Sequence, residues 1–173
     1  MPGTDAPAYR PAMQMAERDR DPSDEHDGFT EEGPALRDAT AAADRAVADE
    51  AAAAAAREGF RIEPMPALEP DDAIAPHLAE GELVHALRTR AILRAPGGDA
   101  ALGYGGTLYL TSRRLVHLGQ VVVSVNLTDI VESSLAGERL LLTLRGGEGL
   151  SLDVDRPRLL RAEMAEAGRG VRQ

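Results

Sequence analysis

The chain has no cysteine, no tryptophan and no lysine, and only two phenylalanines and three tyrosines among its 173 residues. Without cysteine there is no disulfide scaffold, no zinc–thiolate site and no thiol nucleophile. Every basic side chain is arginine. Beside abundant Ala and Gly, that usage reads as a GC-rich bacterial coding sequence, the alternative being a selected preference for guanidinium chemistry. Long apolar runs are also missing. The stretch Val121-Val122-Val123 is typical of the longest, far short of the roughly 20 residues that a membrane-spanning helix needs. The start, Met1-Pro2-Gly3-Thr4-Asp5, has neither a basic nor an apolar region and does not read as a signal peptide. These absences predict a cytoplasmic protein. Asn126-Leu127-Thr128 is then a chance match to a glycosylation sequon.

Charge is unevenly divided. Residues 1–80 hold 7 Arg and 19 acids, a net of −12, whereas residues 81–173 hold 12 Arg and 10 acids, a net of +2. The overall −10 excludes nucleic acid as a partner of the whole chain, because phosphate repulsion dominates at long range.

Taken in order, residues 1–33 are Pro-, Gly- and acid-rich with few apolar residues. Such a segment cannot offset the entropy of ordering its backbone, so a disordered acidic tail is expected. Residues 34–59 predict an Ala-rich helix opened by Pro34 and closed at Gly59. Its apolar face, Leu36, Ala43, Val47 and Ala54, is thin. A solvated helix is expected, the alternative being a weak coiled-coil or partner-binding arm. Residues 60–79 read as a Pro-rich linker in which Pro64 and Pro66 oppose helix, with Phe60 available to pack along the domain. Asp71 is placed to cap a short turn of helix.

From Leu83 the period becomes two. Over residues 83–94, Leu83, His85, Leu87, Thr89, Ala91 and Leu93 share one face, and Val84, Ala86, Arg88, Arg90, Ile92 and Arg94 share the other. A loop opening at Pro96-Gly97-Gly98-Asp99 is expected to run to Gly106. The next strand, 107–111, sets Leu108 and Leu110 inward and Tyr109 outward, and residues 114–118 return from a turn at Thr111-Ser112-Arg113. Strands at 121–127, 130–135 and 139–145 follow, and Leu150, Leu152 and Val154 alternate in the last. The period then switches: Asp155 can cap, Pro157 opens a helix, and Leu160, Met164 and Ala167 form its stripe before Gly168. Connections this short preclude helical crossovers, so the fold class is mainly β: seven antiparallel strands in a bent sheet or partial barrel, plugged by a C-terminal helix. The folded domain is expected over residues 80–168, with a tail at 169–173.

This order resembles the pleckstrin-homology-like (PH-like) fold, and more narrowly the GRAM and bacterial PH-like families. The resemblance is carried by Gly81-Glu82, Gly106-Thr107-Leu108-Tyr109-Leu110-Thr111, Arg114-Leu115-Val116, Asp129-Ile130 and residues 140–144. It implies a non-catalytic module that binds proteins or anionic lipids. In lipid binders, basic residues late in strand one and early in strand two flank the first loop. Arg88, Arg90 and Arg94 match the first part, while residues 100–110 contain no basic residue.

The candidate ligand-binding residues are therefore Arg88, Arg90 and Arg94 on one strand face and Arg113 and Arg114 at the next hairpin tip. Converging guanidinium groups suit phosphate or carboxylate. The bland alternative is a solvated face paired with residues such as Glu132 or Asp153, or with the acidic N-terminal segment. His26, His77, His85 and His117 lack ligand spacing, so no metal is expected, although His85 and His117 can approach across strands. Gly103-Tyr104-Gly105-Gly106 lacks the strand and helix of a dinucleotide loop. No serine has an elbow or basic partner to make it a nucleophile. No enzyme activity and no cofactor are expected. The leading expectation is a scaffold contacting an unknown protein partner through open sheet edges or the arginine face. The alternative is peripheral attachment to anionic lipid through that face and the loop at 96–106.

Overall fold

The computed structural model describes residues 32–95 and 101–171. The expected acidic tail lies, but for its last two residues, outside the described residues, as do loop residues 96–100. The elements are α1 (Glu32–Ile62), a short 3-10 turn (Ala75–His77), β1 (Val84–Arg94), β2 (Ala101–Thr111), β3 (Arg114–Leu118), β4 (Val122–Asn126), a second 3-10 turn (Leu127–Asp129), β5 (Ile130–Ala136), β6 (Arg139–Leu144), β7 (Gly149–Asp153) and α2 (Pro157–Val171). The seven strands form one antiparallel sheet in the order β4-β3-β2-β1-β7-β6-β5. This is the mainly-β architecture that the alternation predicts.

The main core is aliphatic. Leu93, Leu108, Leu110, Leu115, Leu140, Leu142 and Leu152 meet Leu160, Met164 and Ala167 of α2. The helix touches β1, β2, β5, β6 and the 127–129 turn, and so closes the open side of the sheet. Burying each leucine stabilises the fold by about 2 kcal/mol.

A second, smaller core lies on the opposite face. Ile74, Val84, Tyr109 and Val116 cluster there with Leu78 and Leu118. Residues 66–79, expected as part of a linker, form with residues 80–82 a strap over this face. The strap is tied by the Leu68–Val84 bridge and by the Pro66 carbonyl on His85 Nδ1 at 2.9 Å. Asp71 caps its turn as expected, accepting the N–H groups of Ala73 and Ile74 at 3.0 Å. The strap also corrects one expectation: Tyr109 points away from the main core but is buried beneath Ile74 rather than exposed.

The simple alternation along β1 is broken twice. Between Val84–Thr111 and Ala86–Leu110, β1 spends two residues against one on β2, and between Arg88–Leu108 and Ala91–Gly106 it spends three against two. Each is a β-bulge, and each inverts the side chains that follow. Arg90 takes up the second in a left-handed conformation, φ 58°. The strand therefore buries Val84, Ala86, Ala91 and Leu93 and leaves Leu83 and Leu87 exposed. The loop expected to reach Gly106 is also shorter, because β2 begins at Ala101 and pairs with the end of β1. Its glycines have specific jobs. Gly105 holds a positive φ of 68°, and Gly106 leaves room for His117, whose ring nitrogen would lie 2.4 Å from an added Cβ.

The two helices differ from expectation at their ends and faces. α1 continues past Gly59 to Ile62, since Pro64 restrains only its predecessor Glu63. Leu36 and Val47, on the face expected to be apolar, are each 70% exposed. The covered stripe is instead Ala42, Ala46, Asp49, Ala52, Ala53, Ala56 and Phe60, and α1 packs on α2. Alanine permits the close approach, and one buried carboxylate completes it. Asp49 accepts the N–H groups of Arg158 and Leu159 at 2.7 and 3.0 Å, so the cap of α2 comes from α1 and not from Asp155. α2 also runs through Gly168 to Val171.

An Asp49→Ala substitution should cost about 1–2 kcal/mol in denaturant unfolding, the worth of a strong N-cap. It should also accelerate amide exchange in α1 and the first turn of α2. Asp49→Asn, a competent cap, should recover most of both.

Candidate functional site

The residues of the expected arginine face have separate destinations. The bulge at Arg90 places Arg88 and Arg94 on opposite faces of β1, so the shared face does not form. Arg88 lies under α2, where it donates to Glu163 Oε2 at 2.7 Å and to the Asp155 carbonyl at 3.2 Å. Both partners of that ion pair are largely buried. Burial raises the Glu163 carboxyl above its usual range, against the pull of the Arg88 charge. Arg94 donates to Asp153 at 3.0 Å on the outer face, where Asp153 also accepts from Arg139. The Arg139 hydrogen bond is the main cause of the lowered Asp153 pKa. Arg113 reaches the Glu80 carbonyl at 3.3 Å. Arg90 is exposed on its bulge and makes no hydrogen bond or ion pair among the described residues.

Arg114 has the most elaborate surroundings. Its guanidinium grips Glu82 in bidentate fashion, Nε to Oε1 and Nη2 to Oε2, both at 2.9 Å. It also donates to the His77 carbonyl at 2.6 Å and to Ser124 at 3.4 Å. The Glu82 side chain is 0% exposed and accepts two further bonds. Thr111 Oγ1 donates to it at 2.6 Å and the Ala79 N–H at 2.9 Å. Thr111 in turn accepts the N–H groups of Arg113 and Arg114 at 3.2 and 2.9 Å, which fixes the β2–β3 turn. Burial alone would raise the Glu82 pKa. The donors Arg114, Thr111 and Ala79 overcome it and hold the carboxyl at about 2. The same pair raises the pKa of Arg114, chiefly through the hydrogen bond. Gly81, at φ 71°, makes the turn that delivers Glu82 into this nest.

A parallel contact ties the strap from the other side. Tyr109 donates to Asp71 at 2.8 Å. Burial first, and then the Asp71 hydrogen bond and charge, raises the phenol to about 12. The Tyr109 bond is the leading cause of the lowered Asp71 pKa. His85 and His117 do not bond to each other. His117 is buried with Nε2 on the Ala91 carbonyl at 3.0 Å. Among the described residues, no three His, Asp or Glu side chains are grouped to hold a metal ion, and no helix is long and apolar enough to cross a membrane.

Among the described residues, two kinds of surface stay open. One is the pair of sheet edges, β4 and β5. The other is a set of grooves. A groove of about 230 Å³ runs between β5 and α2, with Leu127, Ile130, Val131 and Met164 among its walls beside the polar Glu132, Ser133 and Arg169. Val131 beside it is 59% exposed. A larger, open groove of about 940 Å³ lies where the C-terminal ends of α1 and α2 meet the β2–β3 turn, and Phe60, Leu83, His85 and Arg113 are among its walls. The β5–α2 groove escaped the sequence reading because it needs the two elements side by side.

No family model matches the chain, and no curated protein matches it. Among solved structures, the Vps36 N-terminal PH domain is similar at 20% identity and a TM-score of 0.46, over 61% of this chain and 93% of that one. The C-terminal domain of an unknown protein from Leishmania infantum is similar at 16% identity and a TM-score of 0.42, over 51% and 86%.

The Glu82 nest predicts a specific acid response. Its folded pKa lies below the ordinary value of 4.5, so its stabilisation is complete above about pH 4.5 and is lost as the pH falls toward 2. The full term is about 3 kcal/mol. Glu82→Gln should lose a similar amount at pH 7, because Arg114 is left without its counter-charge. Urea midpoints measured at pH 7 and pH 3 should show the wild type losing more on acidification than the variant.

Proposed function

We propose that the chain is a non-catalytic, PH-like binding module of the GRAM type. It takes a protein partner as an extended segment along the β5 edge. The observation that carries this reading is the contrast between two surfaces. Four of the five arginines that suggested an anion site already hold carboxylates or carbonyls of their own chain. The β5 edge instead presents backbone that no other described strand pairs, beside a groove whose walls include Leu127, Ile130 and Met164. An edge strand supplies main-chain hydrogen bonds for affinity, and a neighbouring groove reads alternate side chains. The partner is a protein that the structure does not name. A cytoplasmic location, with or without attachment to a membrane surface, is compatible with this role.

A second reading has one supporting observation. Arg90 is exposed and unengaged among the described residues, and its guanidinium could meet an anionic headgroup. Each such surface contact with an anionic membrane contributes about 1 kcal/mol, and the −10 net charge opposes approach.

Gly168→Arg distinguishes the readings without disturbing the core, because an added Cβ there meets nothing within 4 Å. The variant should be as stable as the wild type, or gain about 0.5–1 kcal/mol from helix propensity, while its side chain occupies the groove. A photo-crosslinker at Val131 should capture a protein partner in native cells, and Gly168→Arg should remove that capture. Flotation with phosphatidylserine vesicles tests the alternative. Retention lost in Arg90→Glu, with crosslinking at Val131 absent, would replace the protein reading with the lipid one.

A further inference from the structure

The other free edge has a different chemistry. The β4 strand reads Val-Val-Ser-Val-Asn and carries no charge, whereas β5 carries Glu132. Proteins usually guard an edge strand with charge, proline or a bulge, and β4 pairs with β3 in unbroken register across all five of its residues. Val122 is 52% exposed and Val121 57%. The direction of its backbone groups follows from one hydrogen bond. The Leu127 N–H bonds the Arg113 carbonyl at 2.9 Å, and antiparallel ladders alternate bonded and non-bonded pairs. Given the register Leu115–Val125 and His117–Val123, the groups of Val123 and Val125 point toward β3. Those of Val122, Ser124 and Asn126 point outward.

These three residues are spaced evenly about Ser124. We propose that β4 is the docking edge for a second copy of this chain, paired antiparallel about a two-fold axis through Ser124. Ser124 then faces its own symmetry mate, and Val122 faces the partner copy's Asn126. The three outward N–H groups and the carbonyls of Val122 and Ser124 face the partner copy, while the Asn126 carbonyl, which already accepts the first bond of the 127–129 turn, keeps one lone pair for it. Self-pairing usually places like charges together, but here no charged side chain lies on either strand. Arg114, which reaches Ser124 at 3.4 Å, is already neutralised by Glu82. A heterologous strand could use the same edge, but β4 offers it no charge with which to select it, whereas the symmetric register sets no like charges against each other. A five-residue strand pair buries less than the roughly 1,200 Å² of a stable interface, so the dimer is weak and concentration-dependent.

Sedimentation velocity on the full chain from about 1 µM to about 1 mM should show the 18.3 kDa species giving way to one of twice that mass. Val122→Pro removes an outward N–H at the first position of an edge strand, where proline is tolerated. Ser124→Lys leaves the backbone intact and sets two charges face to face on the axis. Both should remain monomeric throughout, with circular dichroism matching the wild type. A wild type that stays monomeric at every concentration would overturn the proposal. So would a dimer that persists in folded Ser124→Lys, or one abolished instead by Val47→Glu on the exposed face of α1.

Discussion

The bidentate contact between Glu82 and Arg114 is the interaction on which the arrangement of the sheet depends. It joins three pieces of chain that sequence separates: the strap where it runs into β1, the β2–β3 turn and, through Ser124, the β4 edge. A fully enclosed carboxylate is costly unless nearly all its lone-pair sites are used. Here Arg114, Thr111 and the Ala79 N–H use them. The nest therefore specifies one geometry, because any slip in the β2–β3 turn would strand a charge in the interior. The apolar cores supply bulk stabilisation, and this contact decides which strand ends meet.

The same logic runs through the rest of the polar interior. Glu163 under α2, Asp153 between β1 and β6, and Asp49 at the head of α2 each satisfy a cation or a helix end within the chain. Arginine accounts for every cation, and its planar fork suits these fixed sites better than an ammonium would. The cluster read from sequence as a surface for ligands is thus largely an internal framework. What stays open is backbone, at the two outer strands, and apolar wall, beside β5.

Much of the fold was legible. Leu140, Leu142 and Leu152 alternate cleanly, so β6 and β7 declare their inner face, and Leu160, Met164 and Ala167 declare the stripe of α2. The illegible parts share a cause, which is that each depends on a residue distant in sequence. Nothing near Arg90 announces a bulge, and without it the parity of β1 assigns three arginines to one face. Tyr109 is buried because the strap lies over it, and Asp71, 38 residues earlier, gives its hydroxyl a partner. The face of α1 was misread for a related reason. Hydrophobicity pointed to Leu36 and Val47, whereas the covered side is the one narrow enough for close contact and bearing the acid that α2 requires. Of the candidate site, sequence named the arginines but could not assign them their carboxylates.

The capping of α2 by Asp49 spans 109 residues, and this separation orders events during synthesis. α1 leaves the ribosome long before the helix it docks against exists. An isolated helix needs high intrinsic propensity to persist, and the six consecutive alanines at 51–56 provide it. The alanine-rich composition thus serves two stages: it holds α1 helical while it waits, and it then keeps the helix slim enough to lie close on α2. α2 follows α1 and all seven strands in the chain, so Asp49 gains its partner only after the strands have been made.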